Sequence, residues 1–595
     1  MRRVPTLPLV IATLALLLVA GGAAAATPAV AAPAAASTVD GSDALGSLGD
    51  SPASVTAAEC EVGGDTELVG CWNGTHYTEE PGFNQSDGLT DDELVRLTEL
   101  SMARVEHIRE RPFREAVPVE TVTREEFAND TTGRTENDTE FQRWNDQVWK
   151  ALFVVGEDET SADAIDAVFG GAVTGFYSPA DERIVLVVAE GERLQVSELT
   201  LAHELGHAMQ DQYEDLSDAR FRGVTQDGDL AVDGIVEGEV VYIEEVYDAR
   251  CADDWVCLDE PDGTSGGGDT PDAFNFGILQ TVLQPYSGGA LYVTELVEED
   301  GWEAVDAAME EPPTSTSEVI HREPDYETGE IDFDDAATGG WELSPDQGVD
   351  GAETAGEASM FVMFWYQSFE YDHAVLDPSG TVADNVRIHT QPEEELRTRA
   401  NYNYAHETTD GWAGDELYPY RDGNGDEDTD GDRDGYVWVT EWQTPEDAAQ
   451  FHEAYLRMLT AHGDVPYEPG EVYAVDDGDF RGAYGIERGD TTVTIAHAPE
   501  PEGVLELRPG SDLSVPASDD DTADTTDDDT ADTTDESDDE GVSTDVSGEE
   551  SDDATDGDDA TGDGSTSGAA PGFGPLAALV ALLLGAALLA RRSRP

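Results

Sequence analysis

The residues best suited to chemistry are the pentad His203-Glu204-Leu205-Gly206-His207 and the segment Val236-Glu237-Gly238-Glu239 about thirty residues later. On a helix, residues four apart share one face, so both imidazoles can address one ion. Glu204 stands between them, placed to hold a metal-bound water and take its proton. A downstream acidic residue can complete the ligand set and leave a fourth position open. That is the chemistry of zinc-assisted peptide hydrolysis. Histidine is scarce in this chain, 11 in 595 residues, so the spacing is not readily a product of chance.

The elements that must position these groups can be read from periodicity. Ser197 is suited to cap a helix in which Leu199, Leu201, Ala202, Leu205, Ala208 and Met209 nearly encircle the axis, so this helix belongs in a core. A second long helix is expected over 229–250. It offers Asp233, Glu237, Glu239, Glu244 and Glu245 as possible third ligands, and periodicity does not choose among them. Upstream, 173–177 and 183–188 read as a hairpin leading into the metal-bearing helix. A strand at that place could pair with an extended substrate through its backbone. Further helices are expected over 89–110, 141–155, 289–296, 302–309 and 356–369, with a strand over 117–122. Residues 401–509 read as a separate α+β unit with a strand at 436–442, a helix over 445–459 and short strands around 480–486 and 491–496. The fold class is therefore α+β.

Several stretches together resemble a family of exported, gluzincin-like metallopeptidases. They are 173–177, 200–212 and 234–239, then Pro285-Tyr286 with Gly289, 301–305 and 312–321, and finally Gly411-Trp412, Gly414-Asp415 and Val437-Trp438. The resemblance spans most of 85–500. It implies a zincin-like catalytic domain in which Glu237 is the third metal ligand beside His203 and His207, with Glu204 as the base. It also singles out Tyr286 and His321, either of which could donate a hydrogen bond to an oxyanion. Gly206 stands where many relatives carry a bulkier residue, a difference expected to leave metal binding intact.

A second pattern concerns calcium. Asp430, Asp432, Asp434 and Glu441 satisfy the spacing of a calcium-binding loop. They sit in an acidic run that leads into a strand instead of a helix, and a solvated acidic loop is the plainer reading.

The ends of the chain speak to location. Residues 1–26 read as a secretory signal peptide, with Arg2 and Arg3 before an apolar run, and 27–84 as a flexible region holding Cys60 and Cys71. The metallopeptidase domain is assigned to 85–400 and the accessory unit to 401–510. An acidic linker, disordered by composition, follows at 511–570. Residues 571–595 begin Pro571-Gly572-Phe573, continue with an apolar stretch and close on Arg591, Arg592 and Arg594. This ending resembles the PGF-CTERM sorting signal of archaeal surface proteins. The resemblance implies removal by an archaeosortase-type enzyme and lipid attachment, whereas a plain membrane anchor is the alternative. The cysteines fall into two close pairs, Cys60 with Cys71 and Cys251 with Cys257, which suits an oxidising compartment. Sequons at Asn73, Asn84, Asn129 and Asn137 suggest surface glycosylation.

The formal net charge is −103, from 132 acidic and 29 basic residues. Lys150 is the sole lysine. Such a surface resembles those of proteins from extreme halophiles, and it excludes nucleic acid as a partner. The expected protein is a surface-held zinc metallopeptidase acting on a peptide or protein substrate. Its rival is a non-catalytic surface protein that keeps the same fold and metal.

Overall fold

The computed structural model describes Cys60 and residues 68–123, 126, 139–169, 175–188, 194–259, 261, 274–323, 326–329, 331–386, 402–422, 433–463 and 465–516. The expected signal peptide, residues 517–570 of the acidic linker, the C-terminal sorting segment, the sequons at Asn129 and Asn137, and Asp430 and Asp432 lie outside these residues. Among the described residues no helix is long and apolar enough to cross a membrane.

The chain is α+β. Helix α1 (Asp91–Arg109) begins at a reciprocal cap, in which Thr90 and Glu93 each accept from the other's backbone. That motif satisfies two of the free N–H groups at a helix start. A small sheet then has the order β1 (Val119–Thr123), β3 (Arg183–Val188), β2 (Gly175–Ser178). The central strand is parallel to β1 and antiparallel to β2. Two helices, α2 (Thr139–Ala151) and α3 (Ser161–Phe169), lie between β1 and β2 in the chain. Strand β2 is therefore an edge, as a substrate-pairing strand requires.

Helix α4 (Glu198–Glu214) follows the sheet, and Ser197 caps it by accepting from the Thr200 N–H. Helix α5 (Gln226–Asp253) runs for 28 residues from a Thr225 cap. Residues of α1, β3, α4 and α5 share one apolar core that includes Leu97, Ile184, Leu205 and Ile243. Helix α6 (Phe276–Val282) leads into a π-helical turn at Pro285–Gly289, followed by α7 (Ala290–Asp300), α8 (Trp302–Glu310) and α9 (Thr316–His321).

The second half of the fold is an antiparallel sheet of order β4 (Trp341–Leu343), β5 (Trp412–Asp422), β6 (Asp434–Trp442), β9 (Thr492–Ala498), β8 (Gly482–Arg488), β7 (Tyr473–Val475). Helices α10 (Gly356–Glu370) and α11 (Pro445–Gly463) cover one face. The short helix α12 (Pro501–Leu507) shares an apolar cluster with other strand residues, among them Val437 and Ala496.

One expectation needs correction here. Residues 401–510 are not a separate unit, because the sheet takes β4 from upstream and one apolar core joins Trp144 and Phe361 to Trp438, Tyr455 and Ile495. The calcium-loop pattern, whose plainer reading is a solvated loop, is not supported by its two described members. Asp434 and Glu441 both lie on β6, seven residues apart, which at about 3.3 Å per residue separates them by roughly 23 Å. Asp434 instead takes the Arg143 guanidinium, with Nε at 2.7 Å, and Glu441 accepts from the Thr491 hydroxyl at 2.7 Å. One ion cannot bridge them.

Both expected disulfides are present, Cys60–Cys71 and Cys251–Cys257. Close to the second, a fully buried Arg104 joins α1 to the starts and ends of its neighbours. It pairs with Glu198 and donates to the carbonyls of Tyr77, Glu79 and Val256 at 3.0–3.2 Å. Its guanidinium also stands 4.8 Å over the Trp255 ring. Removing one partner of such a pair strands a buried charge. Arg104→Ala is therefore expected to cost about 3–5 kcal/mol in denaturant unfolding at high salt. A loss below about 1 kcal/mol would show that water replaces the guanidinium.

Candidate metal centre

His203 and His207 project from one face of α4, with their Nε2 atoms 3.3 Å apart. Glu237 enters from α5, its Oε2 lying 3.3 Å from His203 Nε2 and 3.4 Å from His207 Nε2. All three side chains are buried. The triangle has the size of a tetrahedral face: bonds of about 2.0–2.1 Å give ligand-to-ligand edges of roughly 3.3–3.4 Å. The Glu237 oxygen accepts no well-aligned hydrogen bond from the imidazoles. The group can hold a metal ion.

The outer nitrogens fix how the imidazoles present themselves. Gln210 donates its amide N–H groups to the Val236 carbonyl at 2.9 Å and to Glu239 at 3.0 Å. Its oxygen is thus the end that meets His207 Nδ1 at 2.9 Å. Nδ1 must be the donor there, which leaves the Nε2 lone pair for a metal. His203 Nδ1 meets the Glu244 carboxylate at 3.3 Å, with the same consequence. Behind Gln210, Glu239 is held by the buried Arg109, which also pairs with Asp306 and lies over the Trp302 ring. Glu239 is thereby committed elsewhere, so Glu237 is the residue of this segment that reaches the triangle. Sequence reading missed Gln210 and Arg109. Gln210 could have been noticed, since it stands three residues after His207 on the same helical face.

Packing explains why two helices can converge so closely. A Cβ at Gly206 would lie 2.6 Å from the Val240 Cγ1 atom. A bulkier residue there would require Val240, one turn from Glu237, to shift. On the far side of α5, a Cβ at Gly238 would meet the Gly289 carbonyl at 2.3 Å, and one at Gly289 would meet the Gly234 carbonyl at 2.2 Å. Backbone-to-backbone contact of this kind lets the π-helical turn lie directly on α5. Tyr286, within that turn, stacks parallel to His203 at 6.4 Å between ring centres, and its phenol bonds to Glu237.

The electrostatics are those of a site short of positive charge. Burial, helped by the Glu237 carboxylate, pushes the Glu204 carboxyl up to about 7 against the pull of the two histidines. Both Glu204 oxygens are shut off from solvent and make no well-aligned hydrogen bond. Burial opposes a charge on Glu237, but the two imidazoles outweigh it and hold its carboxyl down to about 2. For His203 burial is likewise outweighed, here by Glu237 and Glu244, and its pKa rises. Burial, with Glu237 and Asp233 close by, lifts the Tyr286 phenol well above its ordinary value, so it remains a donor. Asp233 is itself pushed far up by burial, Asp229 and Glu237.

His321 is not brought into this group. Its Nε2 lies 2.9 and 3.0 Å from the two Glu357 oxygens, in a cluster with Asp410. The oxyanion-donor role considered for His321 therefore has no support from position, whereas Tyr286 is in place.

Residues 345–508 match a family described as a domain of unknown function, DUF8575. The match excludes His203, Glu204, His207 and Glu237. No curated protein and no solved structure matches the chain.

The assignment of Glu237 has a direct check in metal content after dialysis against a divalent cation. Glu237→Ala is expected to lose the metal, and Glu239→Gln to keep it, since Glu239 faces Arg109 and Gln210. Gln210→Leu should weaken binding by about 10–100-fold, as is usual when the partner of a ligating histidine is removed. Metal loss in Glu239→Gln matching that in Glu237→Ala would overturn the assignment.

Proposed function

We propose that this protein is a zinc-dependent metallopeptidase of the zincin type, exported and held at the cell surface by its C-terminal segment. The single observation that carries the reading is Glu204. A carboxylate whose two buried oxygens make no well-aligned hydrogen bond, set beside a three-ligand triangle of tetrahedral size, is costly unless something fills the space between. A metal-bound water does so, and two histidines with one carboxylate and an open fourth position form a catalytic zinc set.

Zinc bound there would lower the pKa of its water and polarise the scissile carbonyl. The chain's own residues do the rest. Glu204 takes the proton of the attacking water and returns it to the leaving amine nitrogen. Tyr286, kept protonated by the carboxylates around it, donates to the oxyanion. The edge strand β2 pairs with an extended peptide backbone. Its residue Tyr177 presents its N–H towards Glu204, and its phenol is fixed on Asp211 at 2.7 Å. These two contacts align the strand with the catalytic residues. The disulfides are consistent with an oxidising, extracellular setting.

One observation favours the rival reading of a structural metal, namely that all three ligands are buried. A purely structural site, however, is closed by a fourth protein ligand. Among the described residues the triangle is grouped with no fourth protein ligand, and Glu204, between the histidines in sequence, suits a base.

The two readings separate on Glu204→Gln. Hydrolysis of a casein-like substrate at high salt should fall by at least about 10²-fold, the usual contribution of a general base. Metal content should stay at one per chain in that centre. A metal-loaded wild type that cleaves nothing, while losing thermal stability on chelation, would establish the structural role instead.

A further inference from the structure

Outside the His203 centre, His321, Glu357 and Asp410 present ligand atoms that all lie within 4.8 Å of one another. They come from three separate places: the last residue of α9, the first turn of α10, and the turn that precedes β5. His321 Nε2 stands 2.9 and 3.0 Å from the two oxygens of Glu357. Those separations are those of a charge-assisted hydrogen bond, and with one ligand atom from each residue the three are close enough for a single small divalent cation to reach them all. Ser317 donates its hydroxyl to Glu357 Oε2 at 2.7 Å and holds the carboxylate in that orientation.

The balance of charge calls for a cation. Glu357 is wholly buried, and the buried Asp227 adds a further carboxylate close enough to interact with it. Asp410 Oδ1 is shut off from solvent and has no hydrogen-bond partner. Arg322, the next residue after His321, is engaged by Glu295 at 2.6 Å and does not answer these charges. A single imidazole therefore faces a buried carboxylate and a second one with an orphaned oxygen. We propose that His321, Glu357 and Asp410 form a second divalent-cation site, independent of the His203 centre. One nitrogen and two carboxylate ligands form a set that accepts Mn²⁺, which serves as the probe.

Its position gives the site a mechanical consequence. Helix α9 packs on α5 and on the π-helical turn that carries Tyr286, while α10 packs against α11 and strand β5. A cation held by α9, α10 and the turn before β5 would clip the helices around the first centre to the large sheet. Binding to the folded state alone raises the unfolding temperature, and continues to raise it with the logarithm of cation concentration above Kd.

The test titrates MnCl₂ into the zinc-loaded, full-length protein in molar KCl and follows free Mn²⁺ by its electron paramagnetic resonance signal. Saturable uptake of one equivalent is expected, together with a higher unfolding temperature. Asp410→Asn, a change away from the buried core, and His321→Gln should each weaken uptake by at least about tenfold, the lower end of the cost of losing even an outer partner of a ligand. No uptake would overturn the proposal, because His321 alone would then suffice as the cation. Uptake that both variants leave unchanged would overturn it too, since it would belong to the acidic surface at large.

Discussion

The contact of α4 with α5 at Gly206 is the constraint from which the first metal centre follows. Without a side chain there, the two helices approach until Val240 fills the gap. That spacing sets the distance from Glu237 to both histidines. The helices run antiparallel, so His203 meets Glu244 while Gln210 meets Val236 and Glu239. The three candidate ligands, and the Gln210 and Glu244 that orient the histidines, are all carried by this one pairing. The apolar residues around it exclude water, which makes an uncompensated carboxylate expensive. Electrostatics and packing thus demand the same thing, a positive charge at the centre of the triangle.

The remainder of the structure holds that pairing in place. Arg104 anchors the start of α4 through Glu198 and reaches the end of α5 through Tyr247 and Trp255. Arg109, one helical turn further along α1, holds Glu239 and through it Gln210. Helix α1 carries no ligand, yet its two buried arginines secure both metal-bearing helices. On the opposite side, close glycine contacts seat the π-helical turn and bring Tyr286 to Glu237. Such turns insert one extra residue into a helix and often re-aim a side chain at a functional site.

Much of this could be read from the sequence because it rests on local spacing. The four-residue interval of His203 and His207, the Ser197 cap, and the apolar run and length of 183–188 are properties of single elements. Their boundaries in the structure differ by a few residues from those expected. The family resemblance selected Glu237, which periodicity alone left level with Glu239 and Glu244. What could not be read depends on residues distant in sequence. No spacing rule pairs Arg109 with Glu239, or His321 with Glu357 and Asp410. The single core shared by α10 and the large sheet was hidden for the same reason, because strand β4 enters that sheet from before the expected boundary. The acidic composition also generated a calcium-loop pattern at Asp434 and Glu441 that the strand pulls apart.

The most direct measurement is anomalous diffraction at the zinc edge from crystals grown with zinc at high salt. The account predicts one strong peak at about 2.0–2.1 Å from His203 Nε2, His207 Nε2 and Glu237 Oε2. Its fourth position should be taken by a water within hydrogen-bonding reach of Glu204. Absence of a peak between those three atoms would contradict the account, and so would a fourth ligand supplied by the protein itself.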